Sequence, residues 1–182
     1  ILKKHAKSFY FAGLLLNRQT LNDASILYAF CRKLDDAADN FKSNNLYELK
    51  SLIDDYRQPS SKNSVNQSFK EIQKKYAFKQ KFIDDLILGV SSDTNFKQPQ
   101  NVQDLLLYSY QVAGTVGALM AKILGANHDH AWKFAIDLGI GMQITNISRD
   151  IKEDAESGRI YIPENMLPHN FKAQDITNGS ND

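Results

Sequence analysis

Residues 137–163 read DLGIGMQITNISRDIKEDAESGRIYIP, and this stretch decides how the fold is interpreted. It begins apolar, ends charged and has no proline before its last residue, so we predict one helix from Ala131 to about Glu156. At about 100° per residue, four polar side chains of this helix fall within an arc of about 80° and form a polar stripe: Gln143, Asn146, Asp150 and Asp154. Because buried amides and carboxylates need partners, this stripe is expected to face a solvent-filled cavity or polar groups.

A second stretch repeats this layout. Residues 24–40 read ASILYAFCRKLDDAADN, with Asp35 and Asp39 four residues apart, as Asp150 and Asp154 are. Either acidic pair alone is also compatible with a solvated helix end. Carboxylates at a helix C-terminus oppose the helix dipole, and like charges one turn apart repel each other. Two helices with the same unfavourable spacing therefore favour a shared hard cation.

The chemistry of these side chains suggests a substrate. Mg²⁺ prefers oxygen ligands and commonly shares its coordination shell with phosphate. Arg32, Arg149 and Arg159 would add fork-shaped contacts to a diphosphate. The apolar halves of the two helices would line a hydrocarbon cavity below the acids. The residues alone therefore indicate an enzyme that ionises an allylic diphosphate.

Composition excludes several other classes. The 182 residues predict one domain, 1–182, and 42% hydrophobic with 24% charged residues suits a globular protein. The net charge of +1, with scattered lysines, gives no nucleic-acid surface. The uncharged run 105–121 is short and polar for a membrane span, so we predict a buried core helix there. The lone Cys31 excludes an intrachain disulfide and fits a reducing, cytoplasmic location.

Scarce proline and the near absence of strand-like alternation predict an all-α protein. Asn22 or Asp23 is the expected N-cap of the second helix. The acidic pairs Asp54–Asp55 and Asp84–Asp85 lack a matching acid at i+4 and are expected on solvated faces. The predicted helices, besides 131–156, span residues 3–16, 21–40, 45–56, 67–76, 78–90 and 102–124.

Four segments, in this order, make the chain resemble the squalene/phytoene synthase family, the head-to-head prenyl diphosphate synthases. They are HAKSF at 5–9, LYAFCRKLDDAAD at 27–39, YSYQVAGTVG at 108–117, and QITNISRDIKED followed by GRIYIP within 143–163. The resemblance is strongest to bacterial phytoene synthases. It implies an isoprenoid-synthase-type helical bundle around a central cavity. Because the family's pattern continues into further C-terminal helices, we interpret the chain as a fragment.

The resemblance also implies a set of site residues. Mg²⁺, with Mn²⁺ as an alternative, is expected on Asp35, Asp39, Asn146, Asp150 and Asp154. The four aspartates and Tyr108 are the expected catalytic residues, and the Tyr108 hydroxyl is a candidate for proton transfer. The expected substrate-binding residues are His5, Lys7, Ser8, Phe9, Tyr28, Arg32, Val112, Ala113, Gly117, Gln143, Asn146, Arg149, Arg159 and Tyr161.

Three parts of the chain carry a specific expectation. The aromatic side chains Phe9, Tyr28 and Tyr108 would lie near the reacting carbons, where ring faces stabilise a carbocation. The small residues at 113–117 would either leave room for a prenyl chain or allow close helix packing, and both readings stay open. Residues 158–163 would form a flap over the mouth of the cavity.

The implied activity joins two prenyl diphosphates through a cyclopropylcarbinyl diphosphate, with geranylgeranyl diphosphate giving phytoene for carotenoid biosynthesis. Farnesyl diphosphate giving squalene or dehydrosqualene is an alternative, and the squalene route needs NADPH. Head-to-tail elongation, terpene cyclisation and a non-catalytic assembly module remain further alternatives. The expected partners are prenyl diphosphates rather than nucleic acid. A C30 or C40 product would bring peripheral contact with the inner membrane.

Overall fold

The computed structural model describes residues 11, 13, 15–39, 45–126, 128 and 130–178. All regular secondary structure assigned within these ranges is helical, which confirms the all-α prediction. Short 3-10 turns follow at Asp93–Asn95 and Glu164–Met166. The predicted helix at 3–16 lies mostly outside the described residues. The helices are α1 Arg18–Asp39, α2 Asn45–Arg57, α3 Ser64–Lys75, α4 Gln80–Ser92, α5 Val102–Ser109, α6 Thr115–Ile123, α7 Ala131–Arg149, α8 Ile151–Glu156 and α9 Ala173–Thr177.

Helix α1 is the centre of the hydrophobic core. Its buried face, including Leu27, Phe30 and Leu34, packs against α2, α3, α4 and α6. The Phe30 ring stacks on Phe69 of α3 with centroids 3.7 Å apart and an interplanar angle of 3°. Each such fully buried side chain contributes about 1.5–3 kcal/mol. This packing fixes the direction of α1 and therefore the position of its acidic C-terminal end.

The start of α1 differs from the prediction. The helix begins at Arg18, and the side chain of Asn17 accepts a hydrogen bond from the Thr20 amide at 2.9 Å, as an N-cap does. Asp23, one of the two expected caps, is instead buried inside the helix. It accepts hydrogen bonds from Lys75 at 2.6 Å and from the Tyr76 hydroxyl at 2.7 Å. The expected N-cap was wrong because Lys75 and Tyr76, from the end of α3, satisfy this buried carboxylate.

The acidic pairs divide between solvent and structure. Asp54 and Asp84 are exposed, as expected. Asp55 was expected to be solvated, but it accepts hydrogen bonds from Ser61, Asn66 and the backbone amides of residues 62 and 63. Asp85 likewise accepts from the Tyr110 hydroxyl at 2.6 Å. The two carboxylates anchor turns, which sequence spacing did not reveal.

The predicted helix at 102–124 is present, with one irregularity. A π-helical turn, Tyr110–Gly114, joins α5 to α6. Helix α7 crosses the π-helical turn and α6 at two glycines, Gly117 and Gly139. A Cβ atom at Gly139 would lie 2.4 Å from the Ala113 carbonyl oxygen, and one at Gly117 would lie 2.1 Å from that of Ala135. At Gly117 and Gly139 the structure therefore shows close helix packing.

The predicted single helix at 131–156 is interrupted. Helix α7 ends at Arg149, Asp150 adopts φ −101° and ψ 16°, and α8 continues from Ile151. The Asp150 amide still bonds to the Asn146 carbonyl and the Asp154 amide to the Asp150 carbonyl, both at 2.9 Å. The interruption is therefore a local bend, and the polar stripe continues across it.

The N-terminal, apolar half of α7 was expected to be buried, but the described residues leave one of its faces exposed. Phe134 is 71% exposed and Leu138 is 66% exposed, with Met142 one turn further along. These three side chains share one face, which no described residue covers. Among the described helices, none has the length and apolar character that crossing a bilayer requires.

The glycine crossing gives a stability prediction. Gly139→Ala should lower the free energy of unfolding by about 1–3 kcal/mol, because its Cβ would meet backbone atoms of residues 113 and 114. Gly141→Ala is the matched control on the same helix, since a Cβ there meets nothing within 4 Å. It should raise stability by about 0.5–1 kcal/mol. Urea denaturation followed by circular dichroism measures both, and equal effects would refute the close crossing.

The Asp55 anchor gives a pH prediction. Hydrogen bonds from Ser61 and then Asn66 hold the pKa of the Asp55 carboxyl below its ordinary value. A folded pKa below the unfolded value of about 3.9 stabilises the protein above that pH, and this contribution is lost as pH falls through the folded pKa. Asp55→Asn should therefore destabilise the protein at pH 7, and the difference from wild type should shrink below about pH 4.

Urea denaturation at a series of pH values checks the Asp55 prediction. Asp54→Asn, at the exposed neighbouring carboxylate, is the control and should change the free energy of unfolding little at pH 7. A wild-type minus Asp55→Asn difference that stays constant across the acid range would contradict the proposed anchor.

Candidate active site

One cleft of about 390 Å³ gathers the polar ends of α1, α7 and α8. The π-helical turn and the extended segment after α8 complete its wall. Wider grooves lie elsewhere on the described surface, and the largest of them, about 730 Å³ beside α2, contains none of the predicted site residues. The cleft is lined by Arg32, Asp35, Ala38, Asp93, Tyr108, Val112, Gln143, Asn146, Ile147, Arg149, Asp150, Asp154, Arg159 and Tyr161.

Most of the predicted site residues of the described chain meet in this cleft. The whole polar stripe, Gln143, Asn146, Asp150 and Asp154, faces it, together with Asp35 from the other acidic helix. The stripe and Asp35 of the other acidic pair, recognised separately in the sequence, therefore belong to one surface. This convergence is the geometric requirement for a shared cation or anion.

Other predicted residues lie elsewhere or outside the described ranges. Tyr28, Ala113 and Gly117 do not line the cleft. Asp39 ends α1, but its side chain is outside the described part of the structure. The N-terminal residues expected to bind substrate also lie outside it: His5, Lys7, Ser8 and Phe9.

Gly158 directs the chain back towards the cleft. Its φ of +76° lies in the left-handed region, which a residue without Cβ adopts at little cost. The Arg159 amide bonds to the Asp154 carbonyl at 2.9 Å and the Gly158 amide to the Ala155 carbonyl at 2.9 Å. This is the hydrogen-bond pattern of a Schellman motif. It ends α8 and places Arg159 beside the acids of the same helix.

The segment expected to form a flap is anchored at its far side. Ile160, Tyr161 and Pro163 are buried. The Gln98 side chain donates to the Ile162 carbonyl at 2.8 Å, and the Glu164 amide donates to the Pro99 carbonyl at 2.8 Å. Residues 159–163 thus form a fixed edge of the cleft in this structure.

A carboxylate that the sequence analysis missed binds two tyrosines in the cleft. The Tyr108 hydroxyl lies 3.1 Å from both carboxylate oxygens of Asp93, and the Tyr161 hydroxyl lies 3.4 Å from one of them. Burial, then the Asp93 charge, raises the pKa of Tyr108, and the same causes raise the pKa of Tyr161 to about 12. Asp93 belongs to no recognised motif, so only the fold places it here.

The basic side chains are held close to the acids. The Arg149 guanidinium donates to both oxygens of Asp150, at 2.6 and 2.5 Å, and so holds the pKa of that carboxyl below its ordinary value. Arg32 pairs with Asp36 one turn along α1 at 2.8 Å. Both pairs are largely exposed, so each contributes little to stability. These arginines can therefore exchange their partners for phosphate at small cost.

The donor set of the cleft fits a shared metal ion. Asp35, Asn146, Asp150 and Asp154 supply the oxygen atoms that Mg²⁺ prefers. Within the described ranges, no group of three or more His, Cys, Asp or Glu side chains is arranged to hold a metal alone. Mg²⁺ usually keeps waters and binds through one or two carboxylates plus substrate phosphate. The residues present match that mode rather than an all-protein cage.

Comparison with known proteins identifies the family. The family model of squalene/phytoene synthases matches residues 2–182. The chain therefore belongs to the squalene/phytoene synthase family, as its four motifs predicted.

Its curated relatives include phytoene synthases of bacteria and plants. The 15-cis-phytoene synthase of Enterobacter agglomerans is 35% identical, and the match covers 89% of this chain and 59% of that protein. Phytoene synthase 1 of Arabidopsis thaliana, a chloroplast protein, is 28% identical over 92% of this chain and 42% of that protein. The chain thus spans at most about three fifths of the length of these relatives.

Crystal structures of related enzymes have the same fold. A dehydrosqualene synthase with a bound ligand is 32% identical, with a TM-score of 0.80 over 90% of this chain and 59% of that one. A squalene synthase from Alicyclobacillus acidocaldarius is 23% identical, with a TM-score of 0.83 over 97% of this chain and 68% of that one. The isoprenoid-synthase-type helical fold is confirmed.

Proposed function

We propose that the protein carrying this chain is a Mg²⁺-dependent prenyltransferase that condenses two geranylgeranyl diphosphates head to head to phytoene. The reaction passes through a cyclopropylcarbinyl diphosphate and releases two diphosphates. The observation that carries the proposal is the convergence of two acidic helix ends and three arginines on one cleft. The phytoene synthases among its relatives support the choice of product.

The arginines bind and orient the diphosphate. Arg32, Arg149 and Arg159 approach the cleft from α1, α7 and the segment after α8. A guanidinium presents paired N–H donors that match two phosphate oxygens at once. Three such groups on different elements would fix the diphosphate against the acids. Arg149 would do so by leaving Asp150, whose oxygens then become available.

The carboxylates would hold the metal. Asp35 on α1 and Asp150 with Asp154 on the other side are the ligands we propose, assisted by the Asn146 amide oxygen and by Asp39. When bound, Mg²⁺ neutralises the charge that develops on the leaving diphosphate. The polar stripe then has a function at each turn of α7 and α8.

The aromatic side chains serve the hydrocarbon end. Tyr108 and Tyr161 lie with ring centroids 5.1 Å apart in the wall of the cleft. Ring faces attract a carbocation electrostatically. The fixed edge at 159–163 excludes water from one side, which protects a cationic intermediate from capture.

Farnesyl diphosphate is the second candidate substrate. The structural similarity to a dehydrosqualene synthase favours it. The same cleft serves either substrate, since both carry the same diphosphate and differ in chain length. A squalene product would require NADPH as the hydride donor, whereas dehydrosqualene would not.

The product test uses the protein that carries this chain, with Mg²⁺ and each prenyl diphosphate in turn. With geranylgeranyl diphosphate and no NADPH, we expect a C40 hydrocarbon that chromatography and mass spectrometry identify as phytoene. Exclusive use of farnesyl diphosphate would replace the substrate assignment. If neither substrate is consumed, the proposed prenyltransferase activity is wrong, and a non-catalytic assembly module is the remaining alternative.

The metal assignment predicts the effect of removing single carboxylates. Asp154→Asn and Asp39→Asn should each lower turnover by at least about 100-fold, because even outer partners of metal ligands contribute about 10–100-fold. The far-ultraviolet circular dichroism spectrum should not change. Asp137→Asn, an exposed change on α7 away from the cleft, is the matched control and should keep full activity. Normal turnover in either acidic variant would remove that residue from the metal site.

A further inference from the structure

Resting on the proposed function, we infer that Asp93 is a positioning residue whose carboxylate fixes the protonated phenols of Tyr108 and Tyr161 in the wall of the cleft. It contacts the two tyrosines rather than completing either acidic pair. None of the motifs that define the predicted site contains it.

The three side chains form a closed triangle of contacts. The Tyr108 hydroxyl is bifurcated between the two oxygens of Asp93, at 3.1 Å each. The Tyr161 hydroxyl lies 3.4 Å from the same carboxylate and 3.3 Å from the Tyr108 hydroxyl. The two rings are nearly parallel, with an interplanar angle of 27°. Asp93 therefore restrains both rings at once.

The Asp93 carboxylate can accept hydrogen bonds from both phenols at once. Each phenol has one proton to donate, and an ionised carboxylate is a pure acceptor with room for both. With Asp93 present, both hydroxyls can be satisfied in a buried wall. Without it, the two hydroxyls have only each other in this cluster, and one donor loses its partner, which is costly when buried.

Burial and the charge of Asp93 both favour the neutral form of the two phenols. Burial, and then the nearby carboxylate, raises the pKa of both tyrosines, so both stay neutral under ordinary conditions. A neutral phenol that donates its proton to a carboxylate is a poor base. This geometry argues against the expected proton transfer to Tyr108 and favours a role for its ring face and hydroxyl dipole.

The turn that carries Asp93 is held by hydrogen bonds of the residues on either side of it. Asp93 begins the 3-10 turn that follows α4, where the Thr94 hydroxyl donates to the Ser91 carbonyl at 2.8 Å. The Ser92 hydroxyl donates to the Gly89 carbonyl at 2.6 Å. From the other side, the Phe96 ring packs edge-on against Tyr161 at 5.0 Å. The position of α4 therefore determines where the Asp93 carboxylate meets the two tyrosines.

The chain contains a matched pair for comparison. Asp85 accepts a hydrogen bond from the Tyr110 hydroxyl at 2.6 Å, and its carboxylate also raises the pKa of that tyrosine, after burial. Neither residue lines the cleft. Asp85 and Tyr110 thus reproduce the carboxylate–phenol chemistry without access to the substrate.

The test compares steady-state kinetics of Asp93→Ala and Asp93→Asn with wild type. Asp93→Ala should lower kcat by about 10–100-fold, the equivalent of losing a charged hydrogen bond, while KM changes less than about twofold. Asp93→Asn should recover part of the loss, because an amide oxygen still accepts one phenol proton. A changed KM with unchanged kcat would overturn the inference.

A double-mutant cycle shows whether Asp93 acts through the tyrosines. In a Tyr108→Phe/Tyr161→Phe background, Asp93→Ala should cause little further loss of kcat, because no hydroxyl remains to be held. Full additivity would overturn the inference. Asp85→Asn is the control and should leave kcat unchanged, and thermal unfolding of each variant identifies any loss of fold.

A readout independent of turnover separates this inference from the proposed function. Fluorotyrosine placed at position 108 should give one sharp fluorine NMR signal in wild type and a shifted, broadened signal in Asp93→Ala. An unchanged signal would overturn the positioning role even in an active enzyme. Absence of turnover in wild type would refute the proposed function, while the fluorine spectrum would still decide whether Asp93 holds the ring.

Discussion

The close crossing of α7 over the π-helical turn and α6 is the constraint on which the cleft depends. At Gly117 and Gly139 the two backbones approach until a Cβ atom would lie 2.1–2.4 Å from a carbonyl oxygen. Because the contact is backbone against backbone, it fixes α7 more rigidly than side-chain packing would. The C-terminal half of α7 then projects Gln143 and Asn146 into the cleft, and the bend at Asp150 turns the remaining acids towards the same space. The apolar core of α1 places Asp35 opposite them.

Charges in the cleft are partly balanced internally, since three arginines line it together with the four carboxylates of Asp35, Asp93, Asp150 and Asp154. Carboxylates from α1, α7 and α8 would repel one another in a half-buried space. Arg149 spans both oxygens of Asp150, and Arg32 and Arg159 add positive charge to the same wall. A metal–diphosphate complex carries both signs of charge. It can therefore replace these internal pairs with carboxylate–metal and arginine–phosphate contacts, so that each charged side chain keeps a partner of opposite charge.

Periodicity predicted the helices and the polar stripe because both depend on local spacing. The matched acids of residues 24–40 and 137–163 indicated a shared site for the same reason. Asp93 could not be found this way, since it lies 15 residues before Tyr108 and 68 before Tyr161, and only tertiary packing joins them. The hydroxyl and amide donors to Asp55, and the Tyr110 hydroxyl that donates to Asp85, were missed because they belong to no motif. The α1 cap was misplaced because Asn17, Asn22 and Asp23 are all residue types that cap helices, and only the structure shows that Asn17 binds an amide of the first turn.

The central claim is that the acids of α1 and of α7 and α8 share one metal–diphosphate site. The most direct measurement is anomalous X-ray diffraction from crystals grown with Mn²⁺ and an unreactive thiodiphosphate analogue of the substrate. We predict manganese peaks in the cleft between Asp35 and the Asp150–Asp154 pair, with the diphosphate on Arg32, Arg149 or Arg159. Analogue bound away from this cleft, or manganese peaks that touch neither acidic helix end, would contradict the claim.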